Sequence, residues 1–263
     1  MAEMTTVLQK IDEDAGVAWL TFNRPEKKNA MSHKFMAELI AALKELADND
    51  KIKCVVTTGS GDSYSSGLDL YDLRESWKRK RAWDHAGTTY EIVRLLRNMP
   101  QVTVAAVKGW CLGGGLALIN GHDLCIAGES AKFGQPEVKI GIIPGGGGTQ
   151  RLTRAIGKYK AMRYILTGDL FGAKEAFDMG LVSELAPDAD VEKRAVAMAQ
   201  QLAELPPLAL LHAKESVLAS METPLSSGLA FETKAIQLLF SSQDQKEGMA
   251  AFIEKRKPTF VGK

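Results

Sequence analysis

Two glycine-containing loops each follow a stretch that is typical of a β-strand. "SSGLDL" comes after "CVVTTG", and "LGGGLAL" comes after "VTVAAVKG", where it opens an apolar, helix-like run. Free backbone N–H groups at helix starts bind anions and developing negative charge. Two such groups from neighbouring loops could converge on one oxygen and form an oxyanion hole, in which each donor contributes about 100- to 1000-fold in rate. The pattern indicates chemistry at a carbonyl group.

Other glycine motifs fit these loops less well. A dinucleotide fingerprint needs GxGxxG, and "GSGDSY" lacks the third glycine. A phosphate-binding loop needs GxxxxGK before Ser or Thr, and "GIIPGGGGTQ" has no lysine in place. No G-x-S-x-G nucleophile turn occurs. Tight strand–helix packing explains the glycines of either loop alone. It explains less well why both loops and a second glycine cluster, residues 145–148, occur together.

Alternating strands and helices must position these loops. "VAWLTF", "IKCVVTTG", "VTVAAV" and "DLCIA" predict strands, and Ser32 is predicted to cap a helix whose apolar residues recur at three- and four-residue spacing. This alternation favours an α/β fold. After about residue 185 the segments become helix-like. We therefore predict a core of residues 1–195 and a C-terminal helical region of residues 196–263.

The composition argues against several classes of protein. The 263 residues carry 33 Lys and Arg against 32 Asp and Glu, so no nucleic-acid partner is expected. The Cys and His residues are scattered and predict no metal site. No apolar run approaches the length of about 20 residues that a membrane span needs. We expect a cytoplasmic protein without a membrane partner, and a solvated surface for the basic run of residues 78–81.

The chain resembles the crotonase, or enoyl-CoA hydratase/isomerase, superfamily over nearly its whole length. The matching segments include "NRPEKKNAMS", "SSGLDL", "VKGWCLGGGLAL", "KFGQPEVKIGIIPGGGGTQRLTRAIG" and "EGMAAFIEKRKP". The resemblance implies an α/β crotonase (ClpP-like) spiral of ββα units with a C-terminal helical region used in trimerisation. It also implies a homotrimer or dimer of trimers, an acyl-CoA substrate, and no cofactor beyond the CoA moiety of that substrate.

The resemblance further implies roles for particular residues. The oxyanion donors would be the backbone N–H groups of Leu68 and Gly114. Lysine at the C-terminal end could meet the CoA phosphates of a neighbouring subunit. The residues expected to bind CoA are Arg24, Lys28, Ala30, Ser66, Asp69 and Lys257.

Enolate chemistry needs a base, and Glu137 in "FGQPEVKIGIIPG" is the candidate. Its apolar neighbours predict partial burial, which would raise the pKa of the carboxyl toward the range of a general base. Taken alone, the segment favours a loop carboxylate that pairs with Lys132 or Lys139. The resemblance favours catalysis, since hydratases of the family use a glutamate at this position.

Those hydratases use a second glutamate three residues after the oxyanion glycine, and here that residue is Ala117. Alanine cannot transfer a proton or hold a water molecule, which argues against the two-glutamate hydration. The expected activity is of the enoyl-CoA hydratase/isomerase type with one glutamate. The alternatives are isomerisation of 3-enoyl-CoA to 2-enoyl-CoA specifically, another crotonase reaction such as hydrolysis or carbon–carbon cleavage, and a non-catalytic CoA-binding subunit.

Overall fold

Ten strands and eleven α-helices occupy the part of the chain that the computed structural model describes, residues 4–78 and 82–263. Residues 79–81 of the predicted basic run lie outside this part. The strands are β1 Val7–Asp12, β2 Val17–Phe22, β3 Cys54–Gly59, β4 Ser63–Ser65, β5 Val102–Val107, β6 Trp110–Leu112, β7 Leu124–Gly128, β8 Lys132–Gly134, β9 Leu170–Gly172 and β10 Glu184–Ala186.

Eleven α-helices lie among the described residues. None of them is both long enough and apolar enough to cross a membrane. The helices are α1 His33–Ala47, α2 Leu70–Lys78, α3 Ala82–Asn98, α4 Gly114–Ile119, α5 Gly148–Ile156, α6 Lys158–Thr167, α7 Ala173–Asp178, α8 Val191–Ala203, α9 Pro207–Ser220, α10 Leu225–Phe240 and α11 Gln243–Glu254.

The strands form two sheets. The larger sheet has the order β1-β2-β3-β5-β7-β10, in which β1 and β2 pair antiparallel and the other neighbours pair parallel. The smaller sheet has the order β4-β6-β8-β9 and is parallel except between β8 and β9. Because β3 and β5 are parallel neighbours, the segments that follow them leave from the same edge of the sheet.

A unit of long strand, short strand and helix occurs three times in succession, as β3–β4–α2, β5–β6–α4 and β7–β8–α5. In each unit the long strand joins the larger sheet and the short strand joins the smaller one. Successive units are neighbours in both sheets, so the chain winds as a spiral, which confirms the predicted fold class. The short strands have only three residues, too few to show the alternation that would predict them.

Helices cover both faces of the larger sheet. On one face, α1 begins where predicted, with Ser32 Oγ accepting a hydrogen bond from the Phe35 backbone N–H at 3.2 Å. The other face packs against α8 through Ala195 and its apolar neighbours. Strands β3 and β5 are buried along their full length as a result, which explains their continuous apolar character.

A buried ion pair joins the C-terminal helices to the core. Lys214 Nζ on α9 lies 2.8 Å from Asp123 Oδ2, and the lysine side chain is only 6% exposed. The same ammonium group donates to three backbone carbonyls around the end of α3. The predicted boundary after residue 195 falls inside α8, and the division into two parts remains a prediction.

Candidate active site

The two predicted oxyanion donors lie side by side. Leu68 is in the loop that follows β4, and Gly114 is the first residue of α4. A Cβ built on Gly114 would lie 3.6 Å from the backbone nitrogen of Leu68, so the two segments are in contact. Neither backbone N–H donates to another group within the described residues. Two unpaired amides are therefore present at one place.

Two glycines keep this place open. Gly67 has a φ of +96°, and a Cβ there would come within 3.2 Å of the Gly114 nitrogen and 2.8 Å of the Leu112 carbonyl oxygen. Gly113 has a φ of +51°, and a Cβ there would lie 3.1 Å from Oε1 of Glu137. Both positions require a left-handed backbone that glycine adopts without strain, and both leave room for close approach to the main chain.

A buried asparagine holds the first loop in shape. Asn29 has a φ of +54°, and its Nδ2 donates to two backbone carbonyls at 3.0 and 2.7 Å. Its own carbonyl accepts a hydrogen bond from Ser65 Oγ at 2.9 Å. Beside it, the Met31 N–H donates to the Gly67 carbonyl at 2.8 Å and fixes the residue before Leu68. The sequence alone indicates only a turn at Asn29, because a polar residue in a turn gives no sign of burial.

Glu137 faces these glycines from a 3₁₀ turn, Pro136–Ile140, that follows β8. Its side chain is partly buried, and burial raises the pKa of the carboxyl to about 7. A hydrogen bond from the residue's own backbone N–H lowers this pKa by a smaller amount. The group is therefore divided between its two protonation states near neutral pH, as a general acid/base requires. It forms no ion pair with Lys132 or Lys139, the pairing that its sequence context also allowed.

A cavity of about 200 Å³ joins the two amides to the carboxylate. Among its lining residues, Glu137 is the one acid and Lys139 the one cation, and the leucine and isoleucine side chains suit an uncharged hydrocarbon group. The described residues contain no cluster of His, Cys, Asp and Glu that could hold a metal ion. The lining residues are Ser66, Gly67, Leu68, Leu70, Leu73, Gly113, Gly114, Pro136, Glu137, Lys139, Ile140 and Ile142.

Ala117 lies one helical turn after Gly114 and is not part of the cavity wall. It is 1% exposed, and a Cβ on Gly146 would come within 3.4 Å of its methyl group. The same Cβ would lie 2.7 Å from Cγ2 of the buried Thr89. The space beside Ala117 is therefore occupied by small groups, and the lining residues supply no second carboxylate.

Five of the six predicted CoA-binding residues gather around the loop that carries Leu68. Arg24 Nη1 lies 3.0 Å from Asp69 Oδ2 and also donates to the Ala30 carbonyl. The Ser66 N–H donates to the Lys28 carbonyl at 2.9 Å. Asp69 is buried, and Arg24 neutralises its charge. The Lys28 side chain is exposed, and its Nζ lies 5.2 Å from the centre of the Trp110 ring.

The sixth residue, Lys257, lies apart from the other five. Its Nζ is 2.9 Å from Oε1 of Glu204, the C-cap residue that follows α8, and both side chains are mostly exposed. It contacts none of the other predicted CoA-binding residues of its own chain. Its role toward the phosphates of a neighbouring subunit stays a prediction.

A partly buried histidine just beyond α4 has a structural role. The Nδ1 atom of His122 lies 2.9 Å from the Leu118 carbonyl oxygen, which can only accept, so Nδ1 carries the proton. Nε2 then accepts from Thr57 Oγ1 at 2.8 Å, and that hydroxyl accepts from Tyr64 OH at 2.8 Å. Burial lowers the pKa of His122 to about 4. The network ties β3 and β4 to the far end of α4, and the ring does not line the cavity.

Comparison with known proteins gives matches over nearly the whole chain. A family model described as enoyl-CoA hydratase/isomerase matches residues 12–263. The chain belongs to the enoyl-CoA hydratase/isomerase family. It is 41% identical over 256 residues to "Probable enoyl-CoA hydratase echA8" of Mycobacterium bovis, with 97% of this chain and 98% of that protein covered. It is 36% identical over 261 residues to the mitochondrial enoyl-CoA hydratase of Pongo abelii, with 97% and 87% covered.

Solved structures lead to the same family. The crystal structure of an enoyl-CoA hydratase from Bacillus anthracis superposes with a TM-score of 0.93 at 32% identity, covering 98% of this chain and all of that one. The crotonase fold predicted from the sequence is thereby confirmed, and the chain is an enzyme of the enoyl-CoA hydratase/isomerase family.

Proposed function

We propose that this enoyl-CoA hydratase/isomerase family member acts on an acyl-CoA thioester through an enolate, with Glu137 as the single general acid/base. Two unpaired amides and one carboxylate with a pKa of about 7 lining the same cavity support this proposal. A thioester oxygen held by the N–H groups of Leu68 and Gly114 makes the C2 proton more acidic, because the developing enolate charge is stabilised. The step needs no cofactor beyond the CoA moiety of the substrate.

The preferred reaction is the isomerisation of a 3-enoyl-CoA to a 2-enoyl-CoA. The Glu137 carboxylate removes a proton from C2, and the electron pair of that C–H bond forms the enolate whose oxygen the two amides hold. The enolate then collapses, the double bond moves from C3–C4 to C2–C3, and the carboxyl group returns the proton to C4. One acid suffices for both transfers, and Glu137 is the one acid in the cavity wall.

Hydration of a 2-enoyl-CoA is the second candidate, because the relatives are named enoyl-CoA hydratases. Water would add its oxygen to C3 and a proton to C2. Glu137 alone would have to accept a proton from the water and supply one to C2, since the position of a second acid holds Ala117. We expect this reaction to be slower than isomerisation in the native enzyme.

The proposed CoA site comprises the residues around the Leu68 loop and one residue from a neighbouring subunit. The exposed ammonium group of Lys28 suits a phosphate of CoA, and Arg24 shapes the loop through Asp69 and the Ala30 carbonyl. Ser66 lies in the cavity wall, where the pantetheine arm would enter. Lys257 would complete the phosphate contacts from the neighbouring subunit.

We further propose that the enzyme forms a trimer or a dimer of trimers through its C-terminal helices. These helices expose large apolar side chains that a second copy would cover. The molar mass in solution, measured by light scattering after size exclusion, tests this proposal against a monomer. The exposed apolar residues of α10 and α11 include Leu225, Leu229, Ile236, Leu238, Phe240, Phe252 and Ile253.

Turnover of a panel of 2-enoyl- and 3-enoyl-CoA thioesters tests the proposed mechanism. Glu137→Gln keeps the shape of the side chain but cannot carry the proton, so we expect kcat to fall by about 100- to 10,000-fold on every substrate that the enzyme accepts. Glu129→Gln is the matched control, because Glu129 is exposed and outside the cavity wall. Unchanged turnover by Glu137→Gln would remove Glu137 from the mechanism.

A further inference from the structure

A fully buried glutamine stands two residues before Glu137. Gln135 is 0% exposed and precedes the 3₁₀ turn that carries the carboxylate. With its amide oriented so that both ends are satisfied, its nitrogen donates to Oε1 of Glu137 at 2.9 Å and to Oε2 at 3.1 Å. Both carboxylate oxygens are thus held by one neutral side chain that has no contact with solvent.

The other end of the same amide lies against the start of α5. A Cβ built on Gly148 would come within 2.9 Å of a terminal atom of the Gln135 amide and 3.4 Å of its Cδ, and it would also lie 2.9 Å from Cβ of Pro144. Gly148 does not have a positive φ, so its backbone conformation is open to other residues and only space demands glycine. The amide therefore fills the gap between Gly148 on one side and the Glu137 carboxylate on the other.

This contact has two physical consequences for the carboxylate. Donors to both oxygens stabilise the ionised form, which opposes the effect of burial. They also fix the plane of the carboxylate, whose Oε1 already lies 3.1 Å from the position of a Cβ on Gly113. A base that must take and return a proton in one turnover needs both a fixed direction and a proton affinity near neutrality.

Nearby charged side chains have little effect on the pKa of the Glu137 carboxyl. The pKa of Glu137 responds to burial and to its own backbone N–H, and not to a nearby charge. Lys139 lies in the cavity wall, α6 packs on the 3₁₀ turn, and α2 borders the cavity. Among the side chains that the structure describes, the charged residues of these elements and of the neighbouring β8 and α5 are Lys132, Lys139, Lys158, Lys160, Arg163, Asp72, Arg74, Glu75, Arg151 and Arg154.

We propose that Gln135 is a positioning residue that holds the Glu137 carboxylate toward Gly113 and favours its ionised form, and that Gly148 is small in order to leave room for the Gln135 amide. The inference rests on the proposed role of Glu137 as the acid/base. It assigns a purpose to Gly148, one of the four residues of the second glycine cluster, which the oxyanion amides leave unexplained.

Two variants with a shared readout test this inference. Gln135→Met keeps the length of the side chain and removes the donor, and Gly148→Ala crowds the amide from its other side. The amide cannot retreat toward a carboxylate already at hydrogen-bond distance, so it must turn away. In both variants we expect the acidic limb of the kcat/KM–pH profile to move up by about one pH unit or more, the usual effect of losing a hydrogen bond to a charged group. Gln150→Met is the control, since that exposed amide donates only to Thr149 Oγ1 within the described residues.

A second measurement separates this inference from the proposed function. Carbon-13 NMR of protein labelled at the glutamate carboxyl, with Glu137→Gln to assign the resonance, gives the pKa of Glu137 without substrate. A higher pKa in Gln135→Met or Gly148→Ala supports the inference even if Glu137→Gln stays active and the proposed mechanism fails. An unchanged pKa and an unchanged acidic limb in folded variants would overturn the inference, even where Glu137→Gln is inactive.

Discussion

Replacing the proposed base should make the protein more stable, and the pH dependence of the gain can be worked out in advance. The pKa of Glu137 is raised from 4.5 to about 7 by burial in the folded chain. Between these two values the folded state binds more protons than the unfolded state, so stability falls as pH rises through this window. The native carboxylate therefore costs stability above pH 7, and Glu137→Gln removes that cost.

The size of the gain follows from the shift. A rise from 4.5 to about 7 is about 2.5 pH units, which corresponds to about 3.4 kcal/mol at about 1.36 kcal/mol per unit. The variant loses the charged acceptor of the Gln135 hydrogen bonds, a loss of about 1 kcal/mol. We expect a net gain of about 2 kcal/mol at pH 8 and little change at pH 4.5.

Urea unfolding of Glu137→Gln and of the wild-type protein at both pH values measures this difference. Glu129→Gln again serves as the control, because an exposed carboxyl should give no gain at either pH. A variant that is equally stable or less stable than wild type at pH 8 would refute the reasoning. Such a result would mean that the carboxylate is well solvated or well paired in the folded state, contrary to its burial.

Three further predictions concern residues around the site. Ala117→Glu should raise the rate of 2-enoyl-CoA hydration by about tenfold or more, because it adds a second carboxyl group, and hydration assays check this effect. It should also lower the melting temperature, measured by calorimetry, because the new side chain must fit a position that is 1% exposed beside Gly146. Lys214→Met should cost about 3–5 kcal/mol in urea unfolding, since it leaves the buried carboxylate of Asp123 unpaired, and adding Asp123→Asn should restore part of the loss. The stability of wild type relative to His122→Asn should fall by about 3 kcal/mol as pH drops from 6.5 to 4, because the pKa of His122 is lowered to about 4 and the unfolded state then binds the extra proton. Urea unfolding of both proteins across this range measures the difference, in which the contribution of Glu137 cancels. A difference that does not change with pH would contradict the assignment.

The sequence predicts those parts of the fold that depend on neighbouring residues. Strands β2 and β5 have the predicted bounds because their apolar, β-branched runs are continuous, and Ser32 caps α1 because capping is a local property. The strands of the smaller sheet could not be predicted, since three residues carry no period and their pairing depends on distant strands.

The same distinction holds for the candidate site. The positions of Leu68, Gly114 and Glu137 are marked by motifs, but their closeness depends on the order of the parallel strands. The contact of Gln135 with Glu137 could not be read from "FGQPE", because two residues in an irregular turn have no fixed relation. Lys257 contacts Glu204 instead of the other predicted residues of its own chain, and nothing in one sequence tells which copy of the chain a residue serves.

The two amides at Leu68 and Gly114 belong to the main chain, and this has a consequence for how such an enzyme diverges during evolution. A point mutation can remove a catalytic side chain, but it cannot delete a backbone N–H other than by introducing proline. Position 117 carries a methyl group here, and α4 with its unpaired amide is in place. A lineage with this architecture can therefore lose one reaction and acquire another by single substitutions, while the amides proposed to stabilise the enolate are inherited throughout.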